Sequence, residues 1–285
     1  ITYHFLPPLL RLITANSKLN ATILNFLFPV IMSLINSLLK KIKPYASFKH
    51  GVRFYTCNIC GWQGTHFVDD AWHKNSRCPN CWSSVRHRLL LASLEYSYEL
   101  NLKISLRGKK VLHFAPEKFL SEYFKNIALK YVTADYLRRD CDLILDMCDM
   151  NNVANNAYDV ILALDVLEHV PDFKKALREL HRCLNSDGGF AVLTVPQVEH
   201  LTNTFEDLTI TSPEQRSQFF GQWDHLRLFG EDFKESVTQL GFSVCEVSGS
   251  SFNDITAVKH MLFHPFPSLE KNATNNRRIY FCFKN

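Results

Sequence analysis

From residue 109 onward, short apolar runs alternate with segments in which apolar residues recur every three or four positions. The apolar runs include KVLHFA, YDVILALD and GGFAVLTVP, and the segments between them include KFLSEYFKNIAL and FKKALRELHRCL. Uninterrupted apolar runs are typical of strands buried on both faces, and the amphipathic segments predict the helices that cover those faces. The pattern therefore predicts an α/β fold with a doubly wound, mostly parallel sheet.

The first fifty residues follow a different pattern. Residues 21–43 carry no charge until Lys40, so this segment has the length of a membrane span. Polar or helix-breaking residues nevertheless recur in it at helical spacing, at Asn25, Pro29, Ser33, Asn36 and Lys40. We expect an amphipathic helical segment over residues 1–50 that packs on the protein or contacts a membrane surface peripherally through residues 21–43. A true span is the remaining alternative.

Four cysteines form two short knuckles, CNIC and CPNC, separated by seventeen residues. This spacing is typical of a tetrahedral zinc site with Cys57, Cys60, Cys78 and Cys81 as ligands. Because four thiolates leave no open coordination position, we expect the Zn²⁺ to be structural. Two disulfides or four free thiols are the alternative. Residues 51–84 are predicted to form a small zinc-ribbon-like module, and residues 85–108 a helix that links it to the sheet.

Charge and cysteine content add two expectations. The net charge is only +4, but residues 1–110 hold 15 Lys and Arg against 4 Asp and Glu, whereas the remainder holds 17 against 24. The basic front half fits an anionic partner such as RNA, lipid head groups or an acidic glycan, or else a solvated surface. Nine cysteines without a secretory signal favour a reducing compartment, so we expect a cytoplasmic protein, with membrane association as the open alternative.

Polar residues follow the apolar runs at the positions where parallel sheets bind ligands, beyond the carboxyl ends of the strands. Asp135 ends the second run, YVTADY, where a carboxylate can accept hydrogen bonds from two ribose hydroxyls. Asp146 and Met147 follow the third run and suit an adenine amino group and an apolar ring face. The fourth run is followed by Asp165, Glu168 and His169.

The turn after the first run departs from the nucleotide-binding pattern. Glycines usually occupy this junction so that backbone N–H groups can approach the ligand, but HFAPE, residues 113–117, contains none. Pro116 suits the first turn of a helix, and Glu117 is electrostatically favoured near a helix N-terminus. The Glu117 carboxylate can also meet a positively charged group of a cofactor. A helix cap without a ligand is the alternative.

The segment that runs from YDVILALDVLEHVPD to ALRELHRCLNSDGGFAVLTVP resembles the class I S-adenosylmethionine-dependent methyltransferases of the type-11 group. The likeness covers about residues 109–250, and the glycine-free turn after a double CxxC resembles a subgroup of these enzymes. It implies a Rossmann-like sheet of seven strands within residues 109–285, with the last strand, at residues 277–285, antiparallel.

The resemblance also implies S-adenosyl-L-methionine as cofactor. It places the ribose at Asp135, the adenine at Asp146 and Met147, and the methionine half at the 113–117 turn. The full set of cofactor-binding residues that we predict is His113, Ala115, Glu117, Asp135, Tyr136, Asp146, Met147 and Asp165.

Residues 197–233 separate the fifth and sixth strands, and in the resembled family this region covers the cofactor and lines the acceptor pocket. Its GQWDHLRLFG segment contains our leading acceptor-side residues, His225 and Arg227. An oxygen or nitrogen acceptor that loses a proton needs a base, for which His225 is the first candidate and His169 the second. Arg227 would hold an anionic acceptor. The alternatives are a packing role for His169 and an ion pair between Arg227 and Asp224 or Glu231.

Three functions remain in competition. The leading hypothesis is methylation of an oxygen or nitrogen atom of a small molecule or glycan. The second is methylation of rRNA or tRNA held by the zinc module and the basic N-terminal half, although the sequence has no aromatic-and-basic stripe and no Asn/Asp-Pro-Pro-Tyr/Phe motif after the fourth run. The third is a catalytically inactive binding protein on the same fold, for which the missing glycines are the only support.

Overall fold

The structure is a computed structural model that describes residues 54–285, all of which lie in one compact unit. The amphipathic segment predicted over residues 1–50, with its membrane contact through residues 21–43, lies outside the described residues. Within residues 54–285, no helix combines the length and the apolar character that crossing a membrane requires.

The described elements follow one another in this order: β1 (Tyr55–Thr56), β2 (Gln63–Gly64), α1 (Val85–Glu95), β3 (Lys110–Phe114), α2 (Lys118–Lys125), β4 (Lys130–Asp135), β5 (Leu143–Ile144), β6 (Val160–Leu164), α3 (Phe173–Cys183), β7 (Phe190–Thr194), β8 (Phe205–Glu206), α4 (Pro213–Phe220), β9 (Arg227–Leu228), α5 (Phe233–Thr238), β10 (Phe242–Ser248), α6 (Asp254–Lys259) and β11 (Arg278–Lys284). Two short antiparallel pairs, β1 with β2 and β8 with β9, lie outside the central sheet.

The central sheet has seven strands in the order β10-β11-β7-β6-β3-β4-β5. Strand β11 is antiparallel to both of its neighbours, and the pairs from β7 to β5 are all parallel. This arrangement confirms the doubly wound, mostly parallel sheet with an antiparallel last strand. The order reverses between β3 and β6, since the chain moves from β3 to β4 on one side and from β6 to β7 on the other. A ligand crevice is expected at the carboxyl ends of these two strands.

Helices cover both faces of the sheet because the side chains of each strand alternate between them. On one face, Leu112 and Ile161 pack with residues of α3 and α5; on the other, Val111 and Val160 pack with residues of α1, α2 and α6. Strands β6 and β7 are buried along their whole length. Helix α1 thus belongs to the core, and residues 85–108 do more than link two parts of the chain.

Residues 197–233 follow β7 at the carboxyl edge of the parallel strands, and Phe229 and Phe233 at their end pack in the main core. Helix α4 begins at Ser212, whose side chain accepts a hydrogen bond from the Gln215 N–H, and ends at Gly221, which has a left-handed backbone. Phe220 of α4 and Leu228 of β9 form a small apolar cluster with Val198 and Ile210 from the loops of this segment.

Candidate active site

The turn after β3 borders the crevice and has the backbone conformation that a glycine would adopt easily. Ala115 has a φ of 46°, and its N–H donates to the Ala134 carbonyl at 2.9 Å. Across the crevice, Asp165, which follows β6, has a φ of 54°. A left-handed conformation costs a non-glycine residue about 1–2 kcal/mol. Residues with this conformation follow both strands that border the crevice, and five other non-glycine residues among those described share it.

Glu117 is the N-cap residue of α2, and helix α1 supplies its partners. Its Oε1 accepts hydrogen bonds from His87 Nε2 at 2.9 Å and from the Arg86 guanidinium at 3.2 Å. Its Oε2 lies 3.5 Å from His113 Nε2 and is a buried atom without a hydrogen-bond partner among the described residues. Burial opposes ionisation, but the close approach of His113, the hydrogen bond from His87 and the charge of Arg86 outweigh it and hold the pKa of Glu117 well below its usual value.

His87 is held in a single tautomer. The Ser84 N–H donates to its Nδ1 at 3.0 Å, so the proton resides on Nε2, which donates to Glu117. Burial, aided by the charge of Arg86, lowers the pKa of His87 to about 4. The imidazole is therefore neutral near pH 7 and serves as a hydrogen-bond donor to the carboxylate.

Arg86 joins the two sides of the crevice, since it also lies 3.3 Å from Asp165. Asp165 receives two further contacts, from Arg277 at 2.9 Å and from the Thr194 hydroxyl at 2.7 Å. Burial raises the pKa of Asp165, but the charges of Arg277 and Arg86 outweigh this effect and lower it to about 2. Asp165 is therefore ionised and held by two cations.

Next to Asp165 lies a cavity of about 290 Å³. The cavity walls include the cysteine-knuckle region, the start of α1, the loop after β6, the cover of residues 197–233 and the segment before β11. Lining residues include His73, Arg86, Glu168, His169, Phe220, His225 and Arg277. The cavity has the position expected of an acceptor pocket, beside the rim and under the cover.

One wall of this cavity brings together Glu168, His169 and His225, whose ligating atoms all lie within 4.8 Å of one another. Glu168 is 1% exposed, and its Oε2 has no hydrogen-bond partner among the described residues. The Nδ1 atoms of the histidines contact other groups: His225 Nδ1 lies 3.1 Å from the Phe220 carbonyl, and His169 Nδ1 lies 3.2 Å from Asp224 Oδ2. In each imidazole, Nε2 is the nitrogen left for a ligand.

Arg227 is 1% exposed and does not line the cavity. Its guanidinium donates to the carbonyls of Leu167 and Val170, both at 2.6 Å, and to that of Pro171 at 3.0 Å. Its carboxylate partner is Glu206 rather than Asp224 or Glu231. The side chain thus fixes the loop that carries Glu168 and His169, which is a positioning role, and its predicted role in holding an acceptor remains a prediction.

The predicted adenosine end is more open. Asp135 is half-buried at the end of β4, and its Oδ1 accepts from the N–H groups of Leu137 at 2.8 Å and Arg138 at 2.9 Å. Asp146 is exposed and its Oδ1 accepts from the Cys148 N–H, whereas Met147 is buried in the core. Tyr136 is 65% exposed, and His113 is fully buried with its Nδ1 2.7 Å from the Tyr131 hydroxyl. The roles of these residues toward a cofactor remain predictions.

The four cysteines of the two knuckles converge on one point. Cys57 Sγ lies 3.7 Å from Cys81 Sγ, Cys60 Sγ lies 3.6 Å from Cys78 Sγ, and all four Sγ atoms lie within 4.8 Å of one another. Sulfur atoms bound to one tetrahedral zinc ion, at about 2.3 Å each, are about 3.8 Å apart. A disulfide needs about 2.05 Å, so these distances do not fit the disulfide alternative.

Arg88 fastens this knuckle region to the rest of the unit. Its guanidinium donates to the carbonyls of Ser83 at 2.7 Å and Ser76 at 2.8 Å, and to that of His260, just after α6, at 3.0 Å. It also lies 4.2 Å above the Phe67 ring. Burial lowers the pKa of Arg88 to about 10, so the group remains charged at neutral pH. The knuckle region and the sheet are therefore tied through a buried cation.

The strand order and the crevice between β3 and β6 agree with the fold that the resemblance to class I methyltransferases implies. A family model described as a methyltransferase domain matches residues 93–247, which is more than half of the chain. The chain belongs to this methyltransferase-domain family.

Solved structures with a similar fold include two methyltransferases of low sequence identity. The S-adenosylmethionine-dependent methyltransferase of Mesorhizobium loti is 10% identical, with a TM-score of 0.43, over 67% of this chain and 97% of that one. The 1,6-didemethyltoxoflavin-N1-methyltransferase of Burkholderia thailandensis, solved with 1,6-didemethyltoxoflavin and S-adenosylhomocysteine, is 12% identical, with a TM-score of 0.43, over 77% of this chain and 98% of that one. No curated protein gives a significant sequence match.

Proposed function

We propose that this protein transfers the methyl group of S-adenosylmethionine to an oxygen or nitrogen atom of a small molecule or glycan bound in the 290 Å³ cavity. The observation that carries the proposal is the position of the cavity. It adjoins the carboxyl end of β6, borders the cover of residues 197–233 and is lined by four histidines and three carboxylates. Concave pockets on which polar groups converge are the usual place for a small-molecule site.

The rim has groups that fit the cofactor. The Glu117 carboxylate is ionised and has a buried oxygen without a hydrogen bond among the described residues, which suits an ammonium or sulfonium group. Asp135 has one carboxylate oxygen occupied by backbone N–H groups, and its second oxygen is the one that can receive ribose hydroxyls. When bound, S-adenosylmethionine supplies a methyl carbon on a cationic sulfur, and the carbon–sulfur bond breaks as the acceptor atom bonds to that carbon.

Residues of this chain align the acceptor with the methyl group and accept the proton that the acceptor loses. In-line displacement depends mainly on alignment, for which a fixed geometry supplies up to about 7–11 kcal/mol. Arg227 fixes the loop that carries His169, and the Phe220 carbonyl fixes the ring of His225. In the absence of a bound metal, the acceptor proton passes to the histidine pair, of which His225 is the more deeply buried.

We further propose that Cys57, Cys60, Cys78 and Cys81 hold a structural Zn²⁺. The sulfur separations fit a tetrahedral site, and each knuckle is closed by a left-handed residue after its second cysteine, Gly61 and Trp82. The metal would stabilise the region that carries His73 to the cavity wall and presents Arg86 and His87 to Glu117. Its predicted role is structural, since four thiolates complete the coordination.

An acceptor screen tests the proposal. Purified protein is incubated with S-adenosylmethionine and pools of hydroxylated and aminated small molecules, oligosaccharides or RNA fragments, and S-adenosylhomocysteine release is measured. We expect turnover with a small-molecule or oligosaccharide pool, loss of at least tenfold in His225→Phe, and wild-type turnover in His200→Phe, an exposed histidine of the same cover. Turnover with RNA alone, together with a steep salt dependence of RNA binding, would favour the RNA methyltransferase instead.

A further inference from the structure

We propose that Glu168, His169 and His225 form a second metal site, which binds a divalent ion of the zinc type at the wall of the acceptor cavity. The existence of this site does not depend on the proposed function. Its role in methyl transfer does, because that role assumes that the cavity holds the acceptor.

The geometry brings three suitable ligands together from two parts of the chain. Glu168 and His169 lie on the loop after β6, and His225 lies in the cover just before β9, yet their ligating atoms are within 4.8 Å of one another. Two ligands with bonds of about 2.1 Å to one zinc ion are separated by at most about 4.2 Å. The three ligand atoms are therefore within about 1 Å of the separations that one ion requires, and binding would draw them together.

The histidines are oriented as metal ligands usually are. A metal-bound imidazole almost always directs its other nitrogen to a carboxylate or a backbone carbonyl, which fixes the ring and its tautomer. His225 directs Nδ1 to the Phe220 carbonyl, and His169 directs Nδ1 to the Asp224 carboxylate, at 3.1 and 3.2 Å. Both Nε2 atoms are thereby left for the ion. Arg227 holds the carbonyls of Leu167 and Val170, on either side of the Glu168–His169 pair.

Glu168 provides independent support. Its side chain is 1% exposed, and the buried Oε2 has no hydrogen-bond partner among residues 54–285. The nearby guanidinium groups do not supply one, since Arg86 contacts Glu117 and Asp165, and Arg277 contacts Asp165. An ionised carboxylate that is buried without a partner is costly, so such groups are normally paired, coordinate a metal or take up a proton. A cation between Glu168 and the two imidazoles satisfies it.

Three protein ligands leave a coordination position open, as in catalytic zinc sites. An acceptor hydroxyl bound there becomes more acidic, as metal-bound water does, and releases its proton to solvent. The resulting oxygen attacks the methyl carbon, the carbon–oxygen bond forms, and the electron pair of the broken carbon–sulfur bond remains on sulfur as neutral S-adenosylhomocysteine. On this account His225 is a ligand rather than the base, and the acceptor is a hydroxyl compound rather than an amine.

Metal stoichiometry tests the site without reference to catalysis. The full chain is loaded with zinc, dialysed and measured by elemental analysis in the absence of cofactor. We expect two equivalents in the wild type, one in Glu168→Gln and His225→Ala, and two in the matched control His200→Ala. Asp224→Asn is expected to weaken the second equivalent by about 10- to 100-fold. One equivalent in the saturated wild type, or two in Glu168→Gln and His225→Ala, would overturn the proposal.

Cobalt substitution distinguishes the two sites if a variant is unstable. Co²⁺ bound by four thiolates gives intense sulfur-to-metal charge-transfer bands, whereas Co²⁺ bound by nitrogen and oxygen gives only weak visible bands. In the wild type, the second equivalent of Co²⁺ should increase the absorbance of the weak visible bands. It should not increase the sulfur-to-metal charge-transfer bands. Two sulfur-type equivalents, or only one equivalent, would contradict the assignment. A chain that binds both metals but no S-adenosylhomocysteine would refute the proposed function and leave this site standing.

Discussion

The carboxylates at the two ends of the crevice differ in their burial and in their partners. At the predicted adenosine end, Asp146 is exposed and Asp135 is half-buried, and backbone N–H groups occupy one oxygen of each. At the acceptor end, Glu117 and Asp165 are ionised beside Arg86, and Glu168 is buried without a partner. The adenosine end thus resembles an open rim that accepts a ligand, whereas the acceptor end is a network fixed before any ligand arrives.

This difference has an energetic meaning. A carboxylate near water loses little when a partner is removed, because solvent replaces the lost contact. A buried carboxylate has no such replacement, so the removal of its cation leaves an uncompensated charge. Substitutions at the acceptor end should therefore affect folding, and those at the adenosine end should affect binding.

The largest effect is expected from Arg86→Ala. The substitution leaves Glu117 and Asp165 without their shared cation, and we expect the free energy of unfolding to fall by about 3 kcal/mol, the low end of the range for buried pairs because the Arg86 side chain is 19% exposed. Chemical denaturation at pH 7 measures it. The matched control is Asp140→Asn, which breaks the exposed pair with Arg138 and should leave the midpoint unchanged. If both substitutions lowered the free energy of unfolding equally, the buried ion pairs of the acceptor end would not be more stabilising than an exposed pair.

The next effect concerns cofactor binding. Asp135→Asn removes the charge from the predicted ribose acceptor, and a hydrogen bond to a charged group contributes about 1.5–3 kcal/mol. We expect a rise of about 10- to 100-fold in the Kd for S-adenosylhomocysteine, measured by calorimetry, with little change in stability. Asp187→Asn, an exposed carboxylate at the amino end of β7, serves as the control and should bind as the wild type does.

The pH dependence of the free energy of unfolding should reflect the groups at the acceptor end of the crevice, Glu117 first among them. The folded-state pKa of Glu117 lies below its unfolded value, so its ion pairs stabilise the protein above the unfolded pKa, and this contribution is lost as pH falls through the folded pKa. The groups that face it are Arg86 and His87 from α1, His113 from β3, and Tyr131 and Asp165 at longer range.

Protonation of His87 also lowers the stability of the fold as pH falls, but in a higher pH range than that of Glu117. The reason is that its folded pKa of about 4 lies below the unfolded value of 6.5. Its contribution is complete above pH 6.5 and is lost as pH falls toward 4. Denaturation at several pH values should show falling stability below pH 6.5, and His87→Gln should flatten the part between 6.5 and 4. An unchanged slope in that variant would show that other groups control the acid transition.

The smallest effect is expected from Ala115→Gly. Glycine relieves the left-handed strain of about 1–2 kcal/mol, but it also makes the unfolded chain more flexible, which costs about 0.4–1 kcal/mol. The net change in unfolding free energy should be within about 1 kcal/mol, and cofactor affinity should remain near that of the wild type. A large loss of affinity would mean that the Ala115 methyl group itself contacts the ligand.

The sheet and its helices could be predicted because their signals are local and repeated. Apolar runs such as that of β6 specify strands buried on both faces, and the resemblance provided the number of strands and the antiparallel last strand, which the structure confirms. The cysteine cluster was also predictable, since its four positions fall within 25 residues and follow a spacing dictated by metal geometry.

The ion pairs and hydrogen bonds at the acceptor end could be predicted from the sequence less well than the sheet. No local pattern pairs Arg86 with Glu117, which lies 31 positions away. Arg277 was missed, although one signal existed. Because β11 is antiparallel, a residue just before it lies at the carboxyl edge of the other strands, beside Asp165. The position of Arg227 beneath the loop, rather than in the cavity, depends on tertiary packing alone.

A crystal structure of the complex with S-adenosylhomocysteine tests the central claim most directly. The account predicts that the ribose contacts the Asp135 carboxylate, that the amino acid end lies at Glu117, and that the sulfur faces the cavity lined by Glu168 and His225. A ligand bound elsewhere, or a crevice left empty at saturating concentration, would contradict it.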